Sequence, residues 1–188
     1  MLIEVIDPFV YQEALDLMEL HRSEGRDIYI VSSSPEEVVR PLAQHFGVAG
    51  VLATRARIDD GRYTGELEFY CYGEGKAEAI RSLAQDRGID LGSSYAYSDS
   101  ATDLPMLRTV GHPVAVNPDK ELRKEAEAKG WDIRDFRRPV RLRTRIVQTA
   151  AHPRTRVAAG LVAATAAAAI VLWLVVRSRL SDRRATAA

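Results

Sequence analysis

Three short stretches of this chain carry residue types that together can handle a phosphate. Ile30-Val31-Ser32-Ser33-Ser34 puts hydroxyls directly after an apolar run, and Gly73-Glu74-Gly75-Lys76 puts a lysine at the opening of a helix. Tyr97-Ser98-Asp99-Ser100-Ala101-Thr102-Asp103 puts two carboxylates four residues apart after another apolar run. A hydroxyl donates to a phosphoryl oxygen, an ammonium offsets its charge, and Asp99 and Asp103 offer hard oxygen ligands for Mg²⁺. Each stretch alone has a plainer reading. Ser32 to Ser34 suit a turn and helix cap, Lys76 a solvated charge, and the two acids a helix start that complements the dipole. Their order, and their shared place after apolar runs, favours the chemical reading. No Walker-type loop, no Gly-x-Gly-x-x-Gly and no Cys/His zinc spacing competes with it. His21, His45, His112 and His152 are scattered and none has a triad context.

Positioning these residues requires alternating helices and short strands, and the hydrophobic pattern supplies them. An amphipathic helix is expected over residues 8–24, ended by Gly25, and a strand over 27–32. Ser34-Pro35-Glu36-Glu37 reads as a cap, a first-turn proline and acids at a helix start, with Val38, Val39, Leu42 and Phe46 following and Gly47 as the stop. A strand is expected over 48–54, and Asp60-Gly61 marks a hairpin turn. Beyond it come a helix from Gly75 to Gly88, a strand at 94–97, a helix at 102–109, a strand at 113–116 and a charged helix at 119–129. Strands separated by helices predict a parallel sheet covered on both faces. Such sheets bind ligands at the carboxyl ends of their strands, where the hydroxyls and acids fall.

Composition divides the chain in two. The 188 residues hold 26 Lys+Arg and 26 Asp+Glu, a formal net charge of zero that argues against a uniformly basic nucleic-acid binder. Residues 1–133 carry 24 acids against 14 bases, whereas residues 134–188 carry 12 bases against 2 acids. The basic part contains an uncharged run over 157–176, of the length that crosses a hydrocarbon core of about 30 Å, with arginines on both flanks and Trp173 near one end. A single-pass C-terminal transmembrane helix is expected. The surplus of arginine before the run places the N-terminal region in the cytoplasm, which a single cysteine, Cys71, also suits. The expected organisation is a hydrolase-like domain over 1–136, a basic juxtamembrane linker over 137–156, the span over 157–176 and a short basic tail over 177–188.

The three chemical stretches resemble, in order, motifs two, three and four of the haloacid dehalogenase (HAD) superfamily, most closely its phosphoserine phosphatase-like subclass IB. The hairpin stretch from Ala53 to Gly65 and Gly111-His112-Pro113-Val114-Ala115-Val116-Asn117-Pro118 also resemble that branch. The likeness extends over roughly residues 7–136. It implies an α/β fold with a HAD-like Rossmannoid parallel sheet, and an Mg²⁺-dependent phosphomonoester hydrolase that works through an aspartyl-phosphate. Ser32 and Lys76 would then be catalytic, one bonding the transferring phosphoryl group and the other neutralising charge. Ser33 would bind substrate through its backbone N–H, and Asp99 and Asp103 would serve the metal, the latter directly or through water. Ser98 stands where the family commonly has glycine.

The chain departs from the family at its beginning. Motif one, Asp-x-Asp-x-Thr or Val, ends the first core strand in HAD proteins, but Asp7-Pro8-Phe9 lacks the second acid and no strand-length apolar run ends there. The expected sheet therefore lacks its first strand, and the nucleophile is not in this chain. An N-terminally truncated phosphatase, completed by an upstream fragment, is favoured. The alternative is a catalytically inactive, membrane-anchored phosphate-binding or scaffold domain. A receiver domain of response-regulator type is disfavoured, because such modules place their acids before the hydroxyl and lysine. The expected partners are a small phosphomonoester, possibly lipid-linked, and the membrane, with no nucleic acid.

Overall fold

Three parallel strand crossovers organise residues 10–139, the part of the chain described in this computed structural model. The order is α1 (Gln12–Ser23), β1 (Tyr29–Pro35), α2 (Glu36–Phe46), β2 (Gly50–Asp59), β3 (Arg62–Phe69), α3 (Glu74–Arg87), β4 (Tyr95–Ser98), α4 (Leu104–Leu107), β5 (His112–Val116), α5 (Lys120–Lys129) and β6 (Asp132–Arg134). β1 pairs in parallel with β2, β4 with β5 and β5 with β6, while β2 and β3 form an antiparallel hairpin. The result is two three-stranded sheets, β1-β2-β3 and β4-β5-β6. Among the described residues no strand joins β1 to β4. Both sheets nevertheless share one core, in which Tyr29 and Val31 of β1 group with Ala96 of β4, Ala115 of β5 and Ala77 and Ile80 of α3.

Local chemistry sets the boundaries. α2 ends on Gly47 at φ 60°, a left-handed conformation that costs glycine nothing. Asp60 and Gly61 turn the hairpin with φ 47° and 75°, as the Asp-Gly pair predicts for a type I′ turn. Ser34 does not cap α2, contrary to the sequence reading. Pro35, extended at φ −57° and ψ 140°, occupies the cap position, and the helix begins at Glu36. The helix expected over 102–109 is a single 3₁₀ turn, Ala101–Asp103, running into the four-residue α4. Strand β6 went unforeseen, because Asp132-Ile133-Arg134 carries too little apolar residue to stand out. It pairs with β5 at Ala115 and Ile133.

α1 is fastened from two sides. Its His21 is buried, with Nε2 2.7 Å from the Tyr97 hydroxyl and Nδ1 3.0 Å from Arg26. The chain leaving β6 returns to the start of the same helix: the Gln12 N–H donates to the Arg138 carbonyl at 2.8 Å, and Arg138 Nε lies 3.0 Å from Glu13 Oε1. The first residues of the expected basic linker thus lie against α1. No helix among the described residues is long and apolar enough to cross a membrane. The apolar run over 157–176, the rest of the linker and the basic tail lie outside the described residues.

The approach of α3 to the hairpin sets where Lys76 stands. A Cβ on Gly75 would lie 2.2 Å from the Tyr70 carbonyl oxygen, so only glycine lets the first turn of α3 come this close. Because the obstacle is backbone, Gly75→Ala must displace that turn. Urea unfolding of this variant is expected to show a loss of about 1–3 kcal/mol, the usual cost of overpacking. An unchanged midpoint would mean that the approach is not constrained.

Candidate active site

Strand β1 delivers its hydroxyls to its carboxyl end as the alternation of the strand requires. Ser32 is buried, pairs in register with Ala53, and its Oγ accepts the Ser34 N–H at 3.1 Å. Ser33 is half-buried, and its carbonyl accepts the Thr54 hydroxyl at 2.8 Å. The same Thr54 oxygen accepts the Cys71 N–H at 3.1 Å, so one side chain ties the end of β1 to the segment that leads into α3.

Lys76, in the first turn of α3, is 5% exposed, and its Nζ lies 2.6 Å from Asp103 Oδ1. Asp103 is 1% exposed, and its other oxygen, Oδ2, accepts the Ser98 hydroxyl at 2.7 Å. A charged pair this deep is tolerable only because each member satisfies the other and the remaining acceptor is bonded. Asp103, expected on the metal side, therefore has both oxygens engaged, and in this structure it orients the lysine. The Cys71 thiol lies among the same groups. Burial pushes it up to about 11, against the Lys76 ammonium and the Ser32 N–H, with the Asp103 carboxylate adding to the rise. The Lys76 ammonium, the Asp103 carboxylate and the Ser32 N–H thus all act on one buried thiol.

Asp99 differs from its neighbour. Its Oδ1 is buried without a hydrogen-bond partner among the described residues. Burial raises its carboxyl above the usual range, opposed by its own backbone N–H and by Lys76 and reinforced by Asp103 and Asp119. The loop that carries it is pinned by Asp119. The Asp119 N–H donates to the Asp99 carbonyl at 2.8 Å, while Oδ2 accepts the Ala101 N–H and Oδ1 the Leu122 N–H, both at 2.8 Å. Burial works upward on Asp119, but these N–H groups outweigh it and hold the carboxyl below its ordinary value. A buried carboxylate oxygen without a donor suits a hard cation such as Mg²⁺, which is commonly held by one or two carboxylates together with substrate phosphate and water. Among the described residues no group of three or more His, Cys, Asp or Glu is gathered to hold a metal by itself.

Sequence reasoning singled out Ser32, Ser33, Lys76, Asp99 and Asp103 as candidates. It missed what holds two of them. Ser98 was noted only as a departure from glycine, yet its hydroxyl fixes Asp103. Asp119 was read as the start of a helix, and its second oxygen reaches Ala101 across a gap in sequence that no local pattern reveals. A cavity of about 780 Å³ lies elsewhere, lined by Tyr95, Arg108, His112 and Trp131. Tyr95 and His112 begin their strands, so this cavity is at the opposite sheet edge from the hydroxyls and acids.

The profile of haloacid dehalogenase-like hydrolases matches residues 1–108. The chain belongs to the HAD-like hydrolase family. It is 53% identical over 178 residues to an "inhibition of morphological differentiation protein" of Streptomyces azureus, covering 94% of this chain and 64% of that one. A Mycobacterium tuberculosis protein named as a probable phosphatase is 50% identical over 93% of this chain and 61% of its own length. A phosphoserine phosphatase of the same organism is 41% identical over 71% of this chain and 44% of its own. The chain thus spans less than two thirds of the length of these relatives. Among solved structures, a Bordetella pertussis protein of unknown function superposes with a TM-score of 0.65 and 36% identity, over 70% of this chain and 61% of that one. An α/β HAD-like fold with parallel strands is thereby shown.

Asp99 makes a testable demand on stability. Because folding raises its pKa, folding favours its neutral form, and the associated stability is present below the ordinary carboxylate pKa and lost as pH rises through the raised value. Asp99→Asn is therefore expected to melt at a higher temperature than the parent at pH 7 in metal-free buffer. The gain should shrink as pH falls through the raised value and be lost once pH is below about 3.9, the ordinary aspartate value. Coincident melting curves at pH 7 would contradict a buried, unpaired carboxylate.

Proposed function

We propose that this chain is the phosphate-binding and metal-side part of an Mg²⁺-dependent phosphomonoester hydrolase of HAD subclass IB. The observation that carries the reading is the buried Lys76–Asp103–Ser98 chain beside Ser32 and the unpartnered Asp99 oxygen. Names of relatives that contain the word phosphatase support it. Ser32 donates its hydroxyl to a phosphoryl oxygen, and the N–H of Ser33 adds a second donor. Lys76, held by Asp103, places positive charge where the phosphoryl group carries negative charge, and it does so without reorganising at the moment of reaction. Asp99 would hold the Mg²⁺ ion, with Asp103 behind it; when bound, the ion supplies Lewis-acid neutralisation of phosphoryl charge. The nucleophilic aspartate of the aspartyl-phosphate route is proposed to come from outside this chain, since no Asp-x-Asp stretch follows an apolar strand in it.

The reading separates binding from turnover. Orthovanadate or inorganic phosphate with Mg²⁺ is expected to raise the melting temperature of the 188-residue chain. Linkage sets the scale at about 2.7 kcal/mol when the ligand is present at a hundred times its Kd. Lys76→Met should abolish the shift. Hydrolysis of an aryl phosphate by the same preparation should be negligible. Absence of any shift would remove the phosphate site, and robust turnover abolished by Asp99→Ala would show that the nucleophile lies within this chain.

A further inference from the structure

Beyond β6 the chain is strapped back onto the domain. Asn117, the residue after β5, holds Phe136 with both ends of its amide: the Phe136 N–H donates to Oδ1 at 2.8 Å, and Nδ2 donates to the Phe136 carbonyl at 3.0 Å. The segment then crosses to the start of α1. The Arg137 and Arg138 N–H groups donate to the two oxygens of Glu13 at 3.2 and 3.3 Å, and the Arg138 guanidinium reaches Asp16 at 3.4 Å. The Gln12 N–H donates to the Arg138 carbonyl, the Phe136 ring lies 6.1 Å from that of Tyr11, and Pro139 forms a bridge with Tyr11. Exposed arginine pairs alone would hold such a strap weakly. Here backbone groups of Phe136, Arg137 and Arg138 are all bonded, which gives it one place.

That place is beside the phosphate site. Asn117 and Asp99 are the first residues after β5 and β4, which are adjacent and parallel. The Asp119 N–H, bonded to the Asp99 carbonyl at 2.8 Å, ties the two loops together. From Phe136 to Pro139 the chain can travel at most about 11 Å. It therefore leaves on the carboxyl edge of the strands, with the hydroxyls and acids, and not on the amino edge, where the large cavity lies. From Pro139 to Val157, the start of the uncharged run, the chain spans at most about 65 Å in any conformation. That stretch holds Arg141, Arg143, Arg145, Arg154 and Arg156 and no acid, a composition drawn to anionic headgroups.

We propose that the strap presents the carboxyl edge of the sheets to the bilayer, so that the site takes phosphomonoesters carried on membrane lipids. The inference rests on the phosphate site proposed above and on residues 157–176 as a membrane span. An exit on the amino edge would put the body of the domain between the site and the membrane; an exit beside Asp99 does not. A phosphate on a lipid of the same membrane is then met as if within one molecule, at an effective concentration in the millimolar range. A water-soluble phosphomonoester offers the same phosphate chemistry without that gain.

Thermal unfolding of the 188-residue chain in phosphatidylcholine vesicles with Mg²⁺ tests the idea. The vesicles carry a minor share of either phosphatidic acid, a lipid phosphomonoester, or phosphatidylglycerol, an anionic phosphodiester. Phosphatidic acid is expected to raise the melting temperature and phosphatidylglycerol to leave it unchanged. Glycerol 3-phosphate in solution should need roughly a hundredfold higher total concentration for the same shift. Lys76→Met should abolish the response to phosphatidic acid. A rigid helical spacer inserted between Pro139 and Val140 keeps the strap but lifts the domain. It should erase the advantage of phosphatidic acid over glycerol 3-phosphate and leave the response to inorganic phosphate intact. Equal effects of the two anionic lipids, or an advantage that survives the spacer, would overturn the membrane-facing edge while the response to inorganic phosphate keeps the site standing. Failure of inorganic phosphate itself to shift the melting temperature would overturn the phosphate site, and this inference with it. A chain that separates from the vesicles on flotation would overturn the span, with the same consequence. The comparison of lipids with the parent chain decides the matter even if a variant does not fold.

Discussion

An ammonium and a carboxylate are costly to take out of water, and neither stays charged in a protein interior unless the other arrives with good geometry. Lys76 and Asp103 meet that condition at 2.6 Å and with almost no exposure. The rest of the site can be understood as what this pair requires. Gly75 lets α3 come close enough to the hairpin for Lys76 to reach inward. Ser98 occupies the second oxygen of Asp103, so that the carboxylate has one orientation rather than two. Asp119 pins the loop between them to α5.

The same pair explains why Asp99 is left over. Two carboxylates stand near one lysine, and the lysine is committed to Asp103. Asp99 keeps a buried oxygen with no donor among the described residues, and folding against its charge is unfavourable until something positive arrives. A carboxylate held in that condition costs stability and gains the ability to bind. Natural domains accept such local penalties where function needs them and offset them elsewhere. Here the offset includes a core shared by both three-stranded sheets, centred on small residues such as Ala77, Ala96 and Ala115 that let helix and strand approach closely.

The parts of the fold that could be read from the sequence are those set by local rules. Periodicity located α2, α3 and α5, and Gly47 and Gly88 marked the ends of the first two because a left-handed residue is needed there. Asp60-Gly61 gave the hairpin turn. The five candidate residues stood out because each falls at the end of a strand or the opening of a helix, and the structure places them there. What was not legible depends on contacts distant in sequence. β6 exists because β5 offers it an edge, and Ser98 matters because Asp103 folds back upon it. The placement of α1 rests on His21 meeting Tyr97, 76 residues away. The Ser34 cap failed for a local reason: Pro35 stays extended and delays the helix by one residue.

The central claim is that Lys76 and Asp103 act as one unit, and a double-mutant cycle on unfolding free energy tests it most directly. Lys76→Met and Asp103→Leu each strand the partner's buried charge, whereas the double variant removes both charges of the pair. The account predicts strong non-additivity, with the double variant more stable than the sum of the single losses by about 1–3 kcal/mol, the range measured for directly coupled residues. Losses that simply add would contradict a coupled buried pair, and with it the arrangement on which the site has been built.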